Sequence, residues 1–362
     1  MLILVLNPGG GSTKVAVFSG RREVLSEVVR HSQAELSRYR LVLDQYRLRK
    51  QAVDGVLKQA GIDPRSLGAV VSRGGPLLPL PGGVYRTSRR VVTDIRRGRV
   101  QTTHPSLLGP LVGHEFSEEL GIPAYFVDPE STDEFWSISR VTGLKGVTRK
   151  ALSHALSCRA VAHNAARRLG KPYSRCNFIV VHLGSGITVA AHVRGRQVDA
   201  TNANEEGPFS PQRAGTLPTA PLVALCFAGR YTEADVLELL QRRGGLVSHF
   251  GTDEIEEVER LVDRGNVQAA LVYDALVYRI AREIGAYAVT CKGHVDAVVL
   301  TGGMANSKRL VRGLKRWAKH VSTRFFVFPG EAEMAALVGR LMDVFDGHER
   351  EKSYEQEVAV RR

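Results

Sequence analysis

The sequence has few cysteines, and their spacing would not hold a metal or a disulfide framework. Only four occur in 362 residues, scattered at positions 158, 176, 226 and 291 without a Cys-x-x-Cys pair. This spacing gives little support for a zinc site or a redox motif. We therefore expect all four to be free thiols in the protein interior.

Long apolar runs are also missing. No stretch reaches the roughly 18 consecutive apolar residues that span a bilayer. Met1 leads directly into a predicted strand rather than into a basic segment and an apolar leader. We therefore expect a cytoplasmic protein with no membrane partner.

Acidic residues are in the minority. The chain has 37 Asp and Glu against 50 Lys and Arg, which gives a net charge of +13 and a general attraction for anions. The arginines are spread along the chain rather than clustered with aromatic residues, so we expect no nucleic-acid partner. The pattern is typical of a solvated basic surface with some arginines at an anionic substrate.

Two pairs of apolar runs, each interrupted by glycines, organise the sequence. Residues 178–193 read as a strand, a Gly-Ser-Gly turn and a strand, and residues 2–18 repeat this pattern around Gly-Gly-Gly-Ser-Thr. A third run, residues 297–300, ends in Thr-Gly-Gly. One such stretch could be an ordinary hairpin, although exposed N–H groups in a glycine turn also form an anion-binding nest. The repetition predicts two similar α/β halves around a shared cleft.

Two familiar nucleotide motifs fail on their spacing. The first glycine turn is followed by Thr13 and Lys14 and then by a strand, whereas a Walker A motif needs Gly-Lys-Ser/Thr at the start of a helix. Neither turn has the Gly-x-Gly-x-x-Gly spacing of a dinucleotide site. Any nucleotide must therefore be bound in another way.

The length of the chain predicts two domains. We expect an N-terminal domain over residues 1–149, completed by a C-terminal helix at about 331–347, and a second domain over residues 150–330. Residues 348–362 are charged and poor in periodic apolar positions, which predicts a loose tail. Residues 202–218 form a polar loop that is too long to be idle in a compact domain.

Polar residues follow the predicted buried strands. Asn7, Arg73, Asp128 and His182 stand at or just after four strand ends, and Glu331 follows a fifth. In open α/β sheets, ligands bind beyond the carboxyl ends of the strands. Arginines, carboxylates and glycine turns in that place suit phosphoryl transfer, which needs cations, oxygen ligands for Mg²⁺ and N–H nests.

Each candidate also has an ordinary structural explanation. Arg73 and Arg213 stand in glycine-rich or loop contexts, yet a lone arginine is usually a surface residue. Asp128 precedes a proline and could be a turn residue. His104 and His154 could donate to a transition-state oxyanion, or could be a helix-entry residue and a core residue.

At these residues the chain resembles the butyrate kinases of the acetokinase family, within the superfamily of sugar kinases, heat-shock ATPases and actin. The resemblance runs from about residue 2 to residue 347. EGPFSPQRAGTLP (206–218) is its most specific segment and matches butyrate kinases better than acetate kinases. The other segments are NPGGGSTK (7–14), SRGG (72–75), VDPESTDE (127–134), SHAL (153–156), HLGSGITV (182–189), LTGGMANS (300–307) and FPGEAE (328–333).

The resemblance implies a fold and an activity. The fold would be α/β, with duplicated actin-like, ribonuclease-H-like domains (the ASKHA fold) and an active site in the cleft between them. The activity would be the reversible, Mg²⁺-dependent phosphorylation of butanoate by ATP, with direct in-line transfer to give butanoyl phosphate and ADP. ATP or ADP and a short-chain carboxylate or acyl phosphate would be the partners, and the chain would form a homo-oligomer, a dimer or larger.

The resemblance also implies a role for individual residues. The catalytic residues would be Arg73, Arg213, His154, Asp128 and Glu331. Mg²⁺ would be positioned by Asp128, Glu331 and Asn7. The acid site would be lined by Asn7, His104 and Gly75. The nucleotide would be met by His182, Gly184, Gly186, Gly302, Gly303, Asn306 and Asp253.

Gly75 carries the expectation about substrate size. Acetate kinases have a bulky aliphatic residue at this position, two after the arginine, and a glycine here would leave room for a longer acyl chain. One methylene is worth only ~1–3 kcal/mol in such a pocket, so overlap with neighbouring acids is expected. The first turn, Gly-Gly-Gly-Ser where Gly-Ser-Thr-Ser is expected, leaves the phosphate contacts open.

Three other functions remain open from the sequence. The chain could phosphorylate acetate, propionate or isobutyrate instead. It could be an actin-like ATP-binding protein without catalysis, although such a binder has no need of Arg73, Arg213 and His154 together. The charge of +13 also motivates a nucleic-acid binder, which would bind through counterion release.

Overall fold

The computed structural model describes residues 1–330 and 333–360, with side chains for residues 1–330 and 333–358. The strands of this part are β1 (Leu2–Pro8), β2 (Ser12–Ser19), β3 (Arg22–Arg30), β4 (Leu67–Arg73), β5 (Val84–Arg86), β6 (Ala124–Val127), β7 (Asn177–Leu183), β8 (Ile187–Val193), β9 (Arg196–Ala200), β10 (Ala297–Gly302) and β11 (Phe325–Pro329). The helices are α1 (Gln33–Leu36), α2 (Tyr46–Gln59), α3 (Arg89–Arg96), α4 (Leu108–Leu120), α5 (Ser137–Arg140), α6 (Ala155–Arg168), α7 (Thr219–Cys226), α8 (Glu233–Gln241), α9 (Gly245–Phe250), α10 (Ile255–Asp263), α11 (Val267–Ala288), α12 (Lys308–Ala318), α13 (Glu333–Phe345) and α14 (Tyr354–Val360).

The described residues form two compact units. The first contains residues 1–133 and the C-terminal segment from residue 333, and the second contains residues 134–330. The sequence placed the boundary later, at 149/150. Residues 134–149 belong to the second unit because their polar side chains bond to it: Glu134 accepts a hydrogen bond from Arg159 Nη1 at 2.9 Å, and Arg149 Nη1 donates to Asp199 at 2.8 Å.

The first unit is built on a six-stranded mixed sheet in the order β3-β2-β1-β4-β6-β5. The hairpin β1–β2 and its neighbour β3 are antiparallel, whereas β1, β4 and β6 run parallel. The register pairs Leu6 with Ser72, so Asn7 and Arg73 follow side by side at the same edge of the sheet.

The second unit repeats this arrangement in the five-stranded sheet β11-β10-β7-β8-β9. Strands β7, β8 and β9 are antiparallel, and β7, β10 and β11 are parallel. The order and directions match β6-β4-β1-β2-β3 of the first unit. This match confirms the duplicated α/β architecture that the two glycine-turn hairpins predicted.

The central strand β7 of the second unit carries an apolar run, residues 178–181, whose two sides are both buried. Successive side chains of a strand point to opposite faces. Ile179 and Val181 join the core that includes α11 and α12, whereas Phe178 and Val180 join the core formed with α6. Near-continuous apolar runs are typical of parallel strands that are buried on both sides.

The C-terminal segment differs from the loose tail that the sequence predicted. Residues 354–360 form α14, and Tyr354 is fully buried in the core that includes Val91 and Phe126. The Tyr354 hydroxyl donates to Asp94 Oδ2 at 3.3 Å. Tyr354 and Val358 anchor this segment in the core, and the sequence periodicity did not reveal them.

The cysteines are all free, as expected. Cys158, Cys176 and Cys291 are buried, and burial raises the pKa of each thiol, to about 12 for Cys158. Cys226 is exposed, contrary to expectation, because α7 has no buried residue. Within the described part of the chain, no helix is both long enough and apolar enough to cross a bilayer.

Candidate active site

Three polar side chains meet in the first unit, where β1 and β4 end and α13 begins. Asn7 Nδ2 donates to Glu333 Oε2 at 2.6 Å, and Arg73 Nη1 donates to Glu333 Oε1 at 3.2 Å. Asn7 and Arg73 are placed together by the parallel register of their strands. The sequence predicted both of them, but it singled out Glu331 rather than Glu333. Glu331 lies outside the described residues.

A second carboxylate, which sequence reasoning missed, lies on the other side of Arg73. Glu130 Oε1 is 3.0 Å from Arg73 Nη2 and accepts a hydrogen bond from Ser106 Oγ at 3.3 Å. Ser106 Oγ is 2.7 Å from Nδ1 of His104, which is itself 3.7 Å from Glu130 Oε1. The polar network of the first unit therefore continues from Arg73 to His104. The position of Glu130 just after β6 was the signal that could have revealed it.

Asp128, predicted as a catalytic residue and a Mg²⁺ ligand, bonds to Gly83 and to Arg340. Its side chain is fully buried, and its oxygens accept hydrogen bonds from Gly83 N at 2.7 Å and from Arg340 Nε at 3.2 Å. Arg340 lies on α13 and is also buried. The pair joins the end of β6 to α13. The role of Asp128 as a metal ligand stays a prediction.

Gly75 lies against the turn that carries His104, which contradicts the expectation of open space. Its φ is +73°, and an added Cβ would lie 2.8 Å from the backbone nitrogen of Leu107 and 3.0 Å from Ser106 Oγ. Glycine is needed here for this close approach and for the left-handed backbone. Gly75 therefore brings the His104–Leu107 turn close and creates no extra room on the side that its Cβ would occupy.

A buried arginine supports the Gly-Gly-Gly-Ser turn through hydrogen bonds to two of its carbonyl groups. Arg49, fully buried on α2, donates to Ser12 O at 2.7 Å and to Gly10 O at 3.1 Å. Among the described residues it has no carboxylate partner, and burial lowers its pKa. Thr13 accepts a further bond from Arg49 and is 2.9 Å from His31 Nε2. Because Arg49 bonds to carbonyl groups, it fixes the path of the turn.

Two histidines stack in the second unit beside the Gly-Ser-Gly turn. The rings of His154 and His182 are 4.0 Å apart at their centroids and nearly parallel, at 15°. His154 Nδ1 is 2.8 Å from Thr188 Oγ1, a buried residue of β8. An added Cβ on Gly184 would be 2.9 Å from His182 Nε2, so glycine lets the turn close over this ring. The predicted phosphate turn and the predicted histidine donor thus lie together.

Arg213 reaches the same turn from the long polar loop. Its guanidinium lies across Gly186, and its backbone N–H donates to Ser210 Oγ at 3.2 Å. The Ser210 hydroxyl donates in turn to Ser185 O at 2.6 Å, which fastens the loop to the turn. Burial lowers the pKa of Arg213, and no described residue offers its guanidinium a carboxylate. A partly buried cation in this position suits an anionic ligand.

The loop that carries Arg213 is also held by Arg149, which sequence reasoning did not single out. Arg149 donates to Glu206 from Nε and Nη2 at 2.8–3.1 Å, to Asp199 at 2.8 Å and to the Ala200 carbonyl at 2.9 Å. Its Nη2 also donates to the Tyr287 hydroxyl at 2.9 Å. The start of the loop is therefore fixed to β9 and to α11.

The remaining predicted nucleotide residues also lie in the second unit. Gly302 ends β10 with φ +93°, and an added Cβ would be 2.3 Å from Leu183 O. Gly303 O accepts a hydrogen bond from Asn306 Nδ2 at 2.9 Å. Asp253 accepts one from Gln212 Nε2 at 2.7 Å, next to Arg213 in the chain. The β10 end is thus packed directly on the strand that leads into the Gly-Ser-Gly turn.

Comparison with solved structures identifies the class of fold. The acetate kinase of Porphyromonas gingivalis has a TM-score of 0.75 at 20% identity, covering 95% of this chain and 99% of that one. The propionate kinase of Francisella tularensis subsp. tularensis SCHU S4 has a TM-score of 0.68 at 17% identity, covering 94% and 98%. A ROK family protein of Streptococcus pneumoniae TIGR4 has a TM-score of 0.51 at 11% identity, covering 96% and 100%. The chain has the two-unit ASKHA fold of these proteins.

The sequence comparison shows which protein family the chain belongs to. The acetokinase family model matches residues 133–323, more than half of the 362-residue chain. The chain belongs to the acetokinase family, whose members transfer a phosphoryl group between ATP and a carboxylate.

Proposed function

We propose that this protein phosphorylates butanoate with ATP, forming butanoyl phosphate and ADP, and catalyses the reverse reaction. The observation that supports the proposal best is the environment of Arg213. This guanidinium is partly buried, lies on a glycine turn and has no carboxylate partner among the described residues. Even partial burial of an unpaired cation costs free energy, which a ligand that supplies the anion would offset. A transferring phosphoryl group is such an anion.

The chemistry needs no general base. A carboxylate with an ordinary pKa of about 4 to 5 is ionised at neutral pH and is already a nucleophile. One of its oxygens bonds to the γ-phosphorus while the bond to the bridging oxygen breaks, and ADP leaves with the electron pair. Catalysis then consists of positioning and charge neutralisation. The arginines and histidines of this chain supply both.

In the first unit, Arg73 is proposed to hold the acid. Its guanidinium is partly exposed at the edge where Asn7 and Glu333 lie, and a planar fork suits a carboxylate. His104 lies on the same network through Glu130 and would line the acid site. The network thus places a cation and a polar wall side by side.

The Glu333 carboxylate and the Asn7 amide oxygen fit a Mg²⁺ ion better than Asp128 does. Mg²⁺ is usually bound by one or two carboxylates together with substrate phosphates, so one carboxylate is sufficient. Among the described residues there is no cluster of three or more acidic, histidine or cysteine side chains that could hold a metal alone. When bound, the ion would neutralise phosphate charge.

In the second unit, the turn of residues 184–186 and the Gly302–Gly303 segment are proposed to meet the nucleotide phosphates and the adenosine. His154 is proposed to donate to a phosphoryl oxygen. When the Thr188 hydroxyl donates to Nδ1 of His154, the imidazole proton lies on Nε2. This role requires Nε2 to be a donor. Backbone N–H groups at the turn would add a nest for the phosphates.

The choice of butanoate depends on the loop of residues 206–218, which resembles that of butyrate kinases. It no longer depends on Gly75, whose Cβ direction is filled by Ser106 and Leu107. A homo-oligomer is also proposed. Helix α7 supports it, because Val223 and Cys226 are exposed and none of its apolar residues is buried.

The test is an initial-rate assay of acyl phosphate, trapped as the hydroxamate, with ATP, Mg²⁺ and carboxylates from acetate to valerate plus isobutyrate. A maximum at butanoate supports the proposal. A maximum at another acid keeps the reaction and changes the substrate. No product with any acid, while ATP still binds, would favour an actin-like ATP-binding protein.

Arg213→Lys and Arg213→Ala refine the test. Both should reduce acyl phosphate formation by about 100-fold or more, because lysine keeps the charge but not the fork geometry. A protein whose ATPase and nucleotide binding are unchanged by Arg213→Ala would not be using this cation for transfer.

A further inference from the structure

Both terminal nitrogens of Arg73 are occupied by carboxylates of its own chain. Nη1 donates to Glu333 Oε1 at 3.2 Å, and Nη2 is 3.0 Å from Glu130 Oε1. The three side chains are largely buried, with exposed fractions of 14–21%. The arginine that is proposed to hold the acid therefore already has two anionic partners.

An acid substrate would be the third carboxylate at this guanidinium. The charge of Glu333 has a second role, because this carboxylate and the Asn7 amide oxygen can bind one cation together. Among the described residues, the other polar neighbours of Glu130 are Ser106 Oγ at 3.3 Å and His104 Nδ1 at 3.7 Å. Like charges within a few ångströms of each other in a partly buried site repel strongly.

We propose that Glu130 is an internal competitor of the carboxylate substrate for Arg73. This inference rests on the proposed function. Glu130 occupies Nη2 in the free protein, and the incoming carboxylate takes that donor. Glu130 then keeps the Ser106 hydroxyl as its partner. Arg73 therefore binds the acid more weakly than it would without this competition. Glu130 is thus a residue that determines the affinity of the acid site.

The experiment measures binding of butanoate to the full-length protein by isothermal titration calorimetry without ATP, together with the KM for butanoate and for ATP. Glu130→Gln keeps the size of the side chain and removes its charge. We expect its Kd and KM for butanoate to fall about tenfold, because one of three competing anionic partners loses its charge. The KM for ATP should stay the same.

A matched control separates a local effect from a general one. Asp346→Asn changes the net charge by the same amount, at the exposed ion pair with Arg21 in the same unit. It should leave the affinity for butanoate unchanged. An equal gain in both variants would overturn the proposal, because the effect would then come from net charge.

A second variant tests the contact of Glu130 with Ser106. Ser106→Ala removes the alternative partner of Glu130, so the carboxylate stays on Arg73 and the affinity for butanoate should fall. In the Glu130→Gln background the same substitution should have no effect. Unchanged or weaker butanoate binding in Glu130→Gln would overturn the proposal. A wild-type protein that makes no acyl phosphate would instead contradict the proposed function.

Discussion

Arg213 lies so close to Gly186 that a Cβ built on this glycine would be 2.0 Å from the Nη1 atom of the arginine. The glycine stands in the turn between β7 and β8, and the arginine comes from the loop that follows β9. The backbone of Gly186 does not have the positive φ that an alanine would resist. The absence of a side chain at residue 186 therefore sets the position of the guanidinium.

Gly186→Ala should damage catalysis more than stability. The obstructing atoms belong to the far end of a flexible side chain, so the guanidinium moves and the fold is retained. We expect kcat/KM for acyl phosphate formation to fall by about 100-fold, as a displacement of an ångström or more at a reacting centre can do. The measurement is the hydroxamate assay together with thermal unfolding.

Gly285→Ala is the control for this variant. Gly285 lies inside α11, has no neighbour within 4 Å of an added Cβ and has no positive φ. Alanine should stabilise the helix by ~0.5–1 kcal/mol and leave the kinetics unchanged. A Gly186→Ala enzyme with wild-type kinetics would show that Arg213 acts from another position.

Glu333→Gln should weaken the affinity of the enzyme for Mg²⁺. The substitution removes the carboxylate that bonds to Asn7 and Arg73 and keeps its size. We expect the Mg²⁺ concentration that gives half-maximal rate to rise about 10- to 100-fold. The measurement is a Mg²⁺ titration at saturating ATP and acid. An unchanged Mg²⁺ requirement would assign the metal to other ligands.

Sequence reasoning could find the candidate site residues that stand at the ends of strands. Asn7, Arg73 and His182 stand at the ends of buried strands, and parallel strands bring such ends to one edge of a sheet. The glycine turns were also readable, because two apolar runs flank each of them. These features depend on neighbours in sequence and on a fixed strand geometry.

Residues whose partners lie far away in the chain could not be predicted in this way. Glu333 bonds to Asn7 across 326 positions, and Arg340 bonds to Asp128 across 212. From the sequence, Asp128 is an acid at a strand end like any other. Its buried ion pair with Arg340 of α13 could not be seen from the sequence. Gly75 was misread for the same reason, because its neighbour is a turn thirty residues later.

The buried pair of Asp128 and Arg340 should be a major stabilising contact of the first unit. Arg340→Met would leave the Asp128 carboxylate buried without its cation, and Asp128→Asn would leave the guanidinium short of one anion. Removing one member of such a pair typically costs ~3–5 kcal/mol. The measurement is urea unfolding at pH 7.

The double variant distinguishes a buried pair from two separate contacts. Asp128→Asn combined with Arg340→Met should cost less than the sum of the single changes, because the second change removes an already unpaired charge. Arg340 also contacts Asp343 and Glu349, so part of the loss should remain. Strict additivity would show that the two side chains do not depend on each other.

The environment of His192 predicts how the free energy of unfolding changes with pH. Its ring is fully buried on β8, with Nδ1 2.6 Å from the Tyr173 hydroxyl. Burial, and then the nearby charge of Arg159, lower its pKa from 6.5 to about 3. The folded protein therefore keeps this histidine neutral at a pH where the unfolded chain protonates it.

The sign follows from proton uptake. Between pH 6.5 and about 3 the unfolded state binds one more proton than the folded state at this site. Stability should therefore fall as the pH is lowered through this window, by about 1.4 kcal/mol per pH unit once the unfolded histidine is fully protonated.

His192→Gln should remove this part of the stability that is lost in acid. His249→Gln, at an exposed position on α9, should keep it. Urea unfolding of the three proteins at pH 7, 6, 5 and 4.5 measures the slopes. Equal slopes for His192→Gln and the wild type would mean that other groups carry the acid sensitivity.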